Sequence, residues 1–160
     1  MITSIKEVYE WLEEVNDPEI PVLSLVDLGV ITDVEVDGEK VSVELTPTFA
    51  GCPAMEVMKN EVIEKLKSKG ISNVSVNVSF RIPWSSDFIS EKGKKALKQF
   101  GLAPPPSNKV FHDLEILESA ICPRCEGKNT ELKNPFGPTL CRAIYYCHTC
   151  HEAFEQFKPL

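Results

Sequence analysis

The chain has 160 residues, of which 42% are hydrophobic, and a formal net charge of −7. That suits one domain, or one with a small appendage, and no apolar run is long enough to cross a bilayer. The first 83 residues carry 7 basic and 15 acidic side chains, which argues against nucleic acid as a partner. The opening Met1-Ile2-Thr3-Ser4-Ile5-Lys6-Glu7 lacks the basic and apolar regions of a signal peptide. A cytoplasmic setting is therefore expected, where six cysteines stay reduced or bind metal.

Ser4-Ile5-Lys6-Glu7 has the capping-box form. Ile5, Val8, Leu12 and Val15 then give a helical apolar stripe, with Asn16 as its left-handed stop. Asp17-Pro18-Glu19-Ile20-Pro21 follows as a stiff loop. Its plain reading is an Asx-type turn; its functional reading sets the Asp17 and Glu19 carboxylates beside a site. Leu25-Val26-Asp27-Leu28-Gly29 leads into a strand over about Val30–Val36. Asp37-Gly38 turns the chain back into a second strand, where Val41, Val43 and Leu45 alternate with Ser42 and Glu44.

The stretch Leu45-Thr46-Pro47-Thr48-Phe49-Ala50-Gly51-Cys52-Pro53 joins that strand to a helix. Pro47 stops the ladder and Pro53 suits a helix's first turn, so Cys52 is expected at or beside the N-cap. There the helix dipole favours thiolate, which makes Cys52 the candidate reactive thiol; the alternative is a small buried hydrophobe. The helix carries Met55, Met58, Val62 and Leu66 as core residues and ends near Gly70. Val74, Val76, Val78 and Phe80 alternate as a third strand, and a right-handed crossover makes it parallel to the second. The expected fold class is α+β: a two-layer α-β-β-α-β domain over residues 1–83, with both helices on one sheet face.

Residues 84–118 read as a short helix and a Pro-rich linker, with Trp84 packed and Pro104-Pro105-Pro106-Ser107-Asn108 as the spacer. Residues 119–160 hold the most specific motif in the chain. Cys122-Pro123-Arg124-Cys125 and Cys147-His148-Thr149-Cys150 are two C-x-x-C pairs, each able to present two thiolates to one metal. Together they complete a tetrahedral Cys₄ site suited to structural zinc, in a zinc ribbon too small to fold on its core alone. Cys141 is left over: it reads by default as a packing residue, with a replacement ligand or a second exposed thiol as the alternatives. His148 and His151 are not needed as ligands, and His112 has no evident partner in the sequence.

Taken together, Asp17-Pro18-Glu19-Ile20-Pro21, Asp27-Leu28-Gly29, Asp37-Gly38, Leu45-Thr46-Pro47-Thr48 and Gly51-Cys52-Pro53 resemble the SufT-like metal–sulfur cluster assembly family. With Trp84-Ser85-Ser86-Asp87, Gly101-Leu102-Ala103-Pro104-Pro105, the paired C-x-x-C motifs, Asn134-Pro135-Phe136-Gly137-Pro138-Thr139-Leu140-Cys141 and Phe154-Glu155-Gln156-Phe157-Lys158, the whole chain is similar to the PaaD-like family of phenylacetate-degradation proteins. That resemblance implies an auxiliary, non-catalytic component of the phenylacetyl-CoA epoxidase (ring 1,2-epoxidase) system, assisting iron–sulfur or metal-centre maturation. The implied partners are the epoxidase components, including the iron–sulfur reductase. It makes Cys52 the functional thiol, with Asp17, Glu19, Asp27, Thr46 and Thr48 as candidate neighbours. The implied cofactors are zinc and a transient iron–sulfur cluster.

The chain has no dinucleotide fingerprint, no P-loop and no Glu-x-x-His pairs for a di-iron site. The alternatives are a thiol-dependent enzyme acting through Cys52, or a structural subunit of the oxygenase. One thiol cannot hold a cluster alone. Either a homodimer brings two Cys52 side chains together, using the edges of a three-stranded sheet, or Cys52 is a transient ligand.

Overall fold

The computed structural model describes residues 3–106 and 120–159, so His112 and the end of the Pro-rich spacer lie outside the described residues. The chain divides into two compact units, Met1–Trp84 with Phe88–Gly93, and Ser85–Asp87 with Lys94–Leu160.

In the first unit, α1 (Ile5–Leu12) starts on the capping box: Ser4 Oγ accepts the Glu7 N–H, and Glu7 Oε2 accepts the Ser4 N–H at 2.8 Å. The helix stops at Leu12, before the expected Asn16. The N–H groups of Glu14 and Val15 bond to Trp11 and Leu12 as tight i−3 turns, and Asn16 instead bridges to Ser24. A one-turn helix, α2 (Leu25–Leu28), then occupies part of the stretch expected only to lead into a strand. Ser24 caps it, and Gly29 ends it at φ +75°. Glycine is required there for a second reason: a Cβ would stand 2.5 Å from Phe88 Cβ.

Strands β1 (Ile31–Asp37) and β2 (Lys40–Leu45) pair antiparallel across the Gly38-Glu39 turn. Helix α3 (Met55–Ser68) crosses over to β3 (Asn73–Val78), which pairs parallel to β2. Period-two alternation lines up Val34, Val43 and Val76 in one buried row. α1 packs on β1 and α3, α3 packs on β3, and Val8, Leu12, Met55, Met58, Val62 and Leu66 are buried. The opposite sheet face carries Asp33, Glu35, Ser42, Glu44 and Asn77. This is the expected two-layer arrangement. The methionines are core residues, as their helical spacing requires.

The second unit includes the end of α4 (Glu91–Phe100) and a four-stranded sheet in the order β4-β7-β6-β5. Its strands are β4 (Leu102–Ala103), β5 (Thr130–Asn134), β6 (Arg142–Cys147) and β7 (Ala153–Phe157). The ribbon strands β5, β6 and β7 are antiparallel neighbours, whereas β4 joins β7 in parallel. Leu102 and Ala103 thus belong to the ribbon's sheet although they fall within the segment read as helix and linker. Two strand residues are too few to show a period, so only tertiary pairing defines them. The core around the cysteines is small: Ala103, Ala120, Ala143, Tyr145 and Phe154, with Cys122 and Cys147 built into it.

Candidate functional site

The two C-x-x-C pairs fold as the same turn, used twice. The Glu126 N–H bonds to the Cys122 carbonyl at 3.0 Å, and the His151 N–H bonds to the Cys147 carbonyl at 2.9 Å. The Cys122 N–H reaches the Gly127 carbonyl, and the Cys147 N–H reaches that of Glu152. Each turn needs a left-handed residue just after its second cysteine; Glu126 at φ 60° and His151 at φ 61° supply it. Backbone N–H groups then converge on sulfur, as where the Gly127 N–H meets Cys125 Sγ at 3.4 Å. Gly127 lies close under the other turn: a Cβ there would come within 2.8 Å of Thr149 Oγ1 and 3.1 Å of Cys125 Sγ.

This doubling brings Cys122, Cys125, Cys147 and Cys150 together, all four Sγ atoms within 4.8 Å of one another. The Cys122–Cys150 and Cys125–Cys147 separations are 3.7 and 3.6 Å. Four sulfurs held about 2.3 Å from one ion would stand about 3.8 Å apart, so the set fits a tetrahedral thiophilic metal. The N–H groups of Cys150 and Thr149 draw the Cys147 thiol down to about 6 against the opposing effect of burial. Burial, followed by the neighbouring thiols, pushes Cys150 up to about 12. A thiophilic cation among the four sulfurs would favour all of them as thiolates. Cys122 and Cys147 are fully buried, while Cys125 is exposed.

His148 Nε2 stands 3.0 Å from Glu131 Oε2, and His151 Nδ1 stands 3.4 Å from the Tyr146 hydroxyl. Neither is in the thiol cluster, which is the one grouping of metal-ligating side chains among the described residues. Cys141 is buried outside it, with its Sγ 3.0 Å from Thr139 Oγ1.

Cys52 is half-buried in the turn between β2 and α3 and forms no disulfide. It does not sit at the N-cap. The helix is capped by Ala54, and the Met55 N–H bonds to the Cys52 carbonyl at 3.4 Å, forming a separate turn ahead of the helix. Pro53 therefore belongs to that turn, and Cys52 stands two residues before the cap. The helix dipole acts strongly only within the first turn, so its pull on this sulfur is weaker than the sequence suggested.

The proposed neighbours separate into distinct settings. Asp17 is buried, and Oδ1 accepts the N–H groups of Glu19 and Ile20 at 2.8 Å each, forming the Asx-type turn. It also lines an open cleft of about 520 Å³ with Glu14, Glu61, Glu64 and Lys65. Glu61, Glu64 and Lys65 lie on α3, beyond its first turn and away from the Cys52 turn in sequence. Thr46 is buried, and its Oγ1 lies 3.0 Å from that of Thr32. Thr48 is half-buried in the loop leading to Cys52.

Asp27 accepts the hydroxyls of Ser24 at 2.9 Å and Ser90 at 2.6 Å, with Lys92 Nζ at 3.3 Å. Burial raises its pKa, but these bonds and the lysine outweigh burial and hold it below the ordinary value. Together with Trp84 Nε1, which donates to the Leu28 carbonyl at 3.0 Å, Asp27 fastens Trp84, Ser90 and Lys92 to α2 within the first unit. Sequence reading missed this anchor because Ser90 and Lys92 lie more than sixty residues from Asp27. It also missed the left-handed Glu126 and His151, although the repeated C-x-x-C spacing was a usable signal for them.

Comparison with known proteins adds to this geometry. Residues 5–79 match the family model of an iron–sulfur cluster assembly protein, and residues 106–158 match the PaaD zinc beta ribbon domain. An Escherichia coli strain K12 protein, named as one component of a "Putative 1,2-phenylacetyl-CoA epoxidase", is 34% identical over 96% of this chain and 92% of its own length. The Staphylococcus aureus Fe-S protein maturation auxiliary factor SufT is 35% identical over 52% of this chain and 96% of its own. A crystal structure of a domain of unknown function from Bacillus anthracis is 32% identical, with a TM-score of 0.54, covering 57% of this chain and 89% of that one. No helix among the described residues is long and apolar enough to cross a membrane.

Proposed function

This chain belongs to the PaaD family, an iron–sulfur cluster assembly domain joined to a PaaD zinc ribbon, and from that premise we propose that it is a non-catalytic maturation factor for the phenylacetyl-CoA epoxidase system. Its client is an iron–sulfur or other metal-bearing component of that system, with the iron–sulfur reductase as the first candidate. The Cys₄ centre holds zinc as a structural ion. Cys52 is a transient ligand for the metal or cluster, which is cargo here and not a resident cofactor. The protein works where thiols stay reduced, as in the cytoplasm.

The observation that supports this reading is the division of the cysteines. Four are committed to one another, Cys141 is buried, and Cys52 stands in a loop outside both groups. A thiol enzyme needs a base beside its nucleophile, and the unit that holds Cys52 contains no histidine. Asp17 Oδ1 already accepts two backbone N–H groups in its turn.

Co-expression of the epoxidase components with the native chain, with Cys52→Ala, or without it tests the proposal. Iron and acid-labile sulfide are measured in each purified component. The expectation is a several-fold deficit in one component when the chain is absent or lacks Cys52, with zinc in the Cys52→Ala protein unchanged. Equal iron and sulfide in all three preparations would remove the maturation role.

A further inference from the structure

The two outer edges of the first unit's sheet are built differently. β1, at one edge, carries Asp33, Glu35 and Asp37. If two copies met there antiparallel, acid would face acid, which disfavours pairing. β3, at the other edge, reads Asn73-Val74-Ser75-Val76-Asn77-Val78, with no charge, no proline and no glycine. Natural edge strands usually carry such a guard, and a bare edge is a template for another strand.

The edge also has its backbone ready. The Ser79 N–H bonds inward to the Leu45 carbonyl at 2.9 Å. Bonding direction alternates along a strand in a parallel pair, so Val74, Val76 and Val78 turn their N–H and C=O groups outward. Among the described residues, β3 pairs with β2 alone. Val78 is 38% exposed and Phe80 62%, so the apolar side of this strand continues past the helices that cover Val76.

The sequence of the strand is nearly palindromic about Val76. A two-fold axis there sets Val76 opposite Val76, Val74 opposite Val78, and Ser75 opposite Asn77. Apolar side chains then meet on the helix-covered face and small polar ones meet on the open face. The three valine pairings exchange about six backbone hydrogen bonds. A two-fold interface requires self-complementarity of this kind.

We propose that β3 is a dimer seam: two copies of this chain join antiparallel through their β3 edges about an axis at Val76, making one continuous sheet. This has a consequence for Cys52, which rests on the maturation reading above. The Cys52 turn follows the C-terminal end of β2, and that end is in register with the C-terminal end of β3, Leu45 beside Val78. Antiparallel joining sends these ends apart by more than about 13 Å along the strand axis. The two thiols do not share a cluster; each handles its cargo alone.

The test uses the full chain and measures mass in solution by light scattering, with circular dichroism to confirm that each variant is folded. Ser75→Lys with Asn77→Lys sets lysine against lysine twice across the axis. Ser75→Glu with Asn77→Lys sets glutamate against lysine at the same two places. All the substitutions lie on the open face, away from the buried valine row. The expected result is a dimer for the native chain, a monomer for the double lysine variant, and a dimer again for the glutamate–lysine variant. A monomeric native chain at micromolar concentration would overturn the proposal. So would a dimeric double lysine variant, which would place the contact elsewhere, or a monomeric glutamate–lysine variant, which would contradict the Val76 axis.

Discussion

The two units are held together by different forces. In the first, two helices cover one face of a three-stranded sheet, and the interior is a continuous set of valine, leucine and methionine side chains. In the second, four strands enclose only a few large residues, and two of the buried positions at its centre are cysteines meant for a metal. Apolar burial is spread over many contacts and loses strength gradually as residues are removed. A four-thiol centre concentrates its contribution at one point. The chain thus joins a unit built on spread apolar burial to one with four thiols gathered at a single point, and each can be perturbed while the other is watched.

The largest expected effect comes from removing that ion. Structural zinc contributes about 10–16 kcal/mol to small domains of this kind. Cys122→Ala, or a strong chelator on the native chain, should abolish metal content and the slow amide exchange of β5, β6 and β7. Both tryptophans, Trp11 and Trp84, lie in the first unit, so their emission should not change. A shift in tryptophan emission on chelation would break the comparison by showing that the units melt together. Metal affinity should weaken as pH falls, because protons compete for every thiol; a titration with zinc and a competing chelator at several pH values measures this.

The division between the units was legible in the sequence for a physical reason. Period-two valines, a capping box and a C-x-x-C repeat are local signals, and they need no knowledge of the rest of the chain. β4 was not legible, because Leu102 and Ala103 become a strand only by meeting β7. The setting of Cys52 was half legible. Pro53 marks a turn, but sequence cannot say whether that turn is the helix's first or one before it; here the bond from the Met55 N–H to the Cys52 carbonyl decides for the latter. Asp17 shows the reverse case. Its Asx-type turn follows from local chemistry and is present, with Oδ1 accepting two backbone N–H groups.

A smaller effect, confined to the first unit, should follow from Asp27→Asn. The native carboxylate accepts two serine hydroxyls and faces Lys92. A hydrogen bond to a charged group contributes about 1.5–3 kcal/mol, and asparagine retains part of it. The expected loss near neutral pH is therefore about 1–2 kcal/mol. Because the folded pKa lies below the ordinary value, the native chain has the full benefit above about pH 3.9, the unfolded value. It loses the benefit as pH falls through the lower, folded value. Urea unfolding followed by tryptophan emission should show the two proteins converging in acid. An unchanged gap at low pH would mean that shape rather than charge makes Asp27 an anchor.

The smallest effect sharpens the account of the second unit. His151 holds a left-handed conformation at φ 61°, which costs a residue with a Cβ about 1–2 kcal/mol. Glycine takes that conformation without strain but loses about 0.5–1 kcal/mol through the freedom of the unfolded chain. His151→Gly should therefore gain about 0–1.5 kcal/mol, on the order of tenfold at most in any rate or equilibrium that reports it. The imidazole it removes makes only a 3.4 Å contact with the Tyr146 hydroxyl. Glu126→Gly should gain less, because it also removes an exposed ion pair with Lys98, a small solvent-screened contribution. The measurement is the rate at which excess chelator strips the metal: slower for His151→Gly than for the native chain, with Glu126→Gly between them. Faster loss from His151→Gly would show that the imidazole supports the ion, and the centre would then depend on more than its four thiolates.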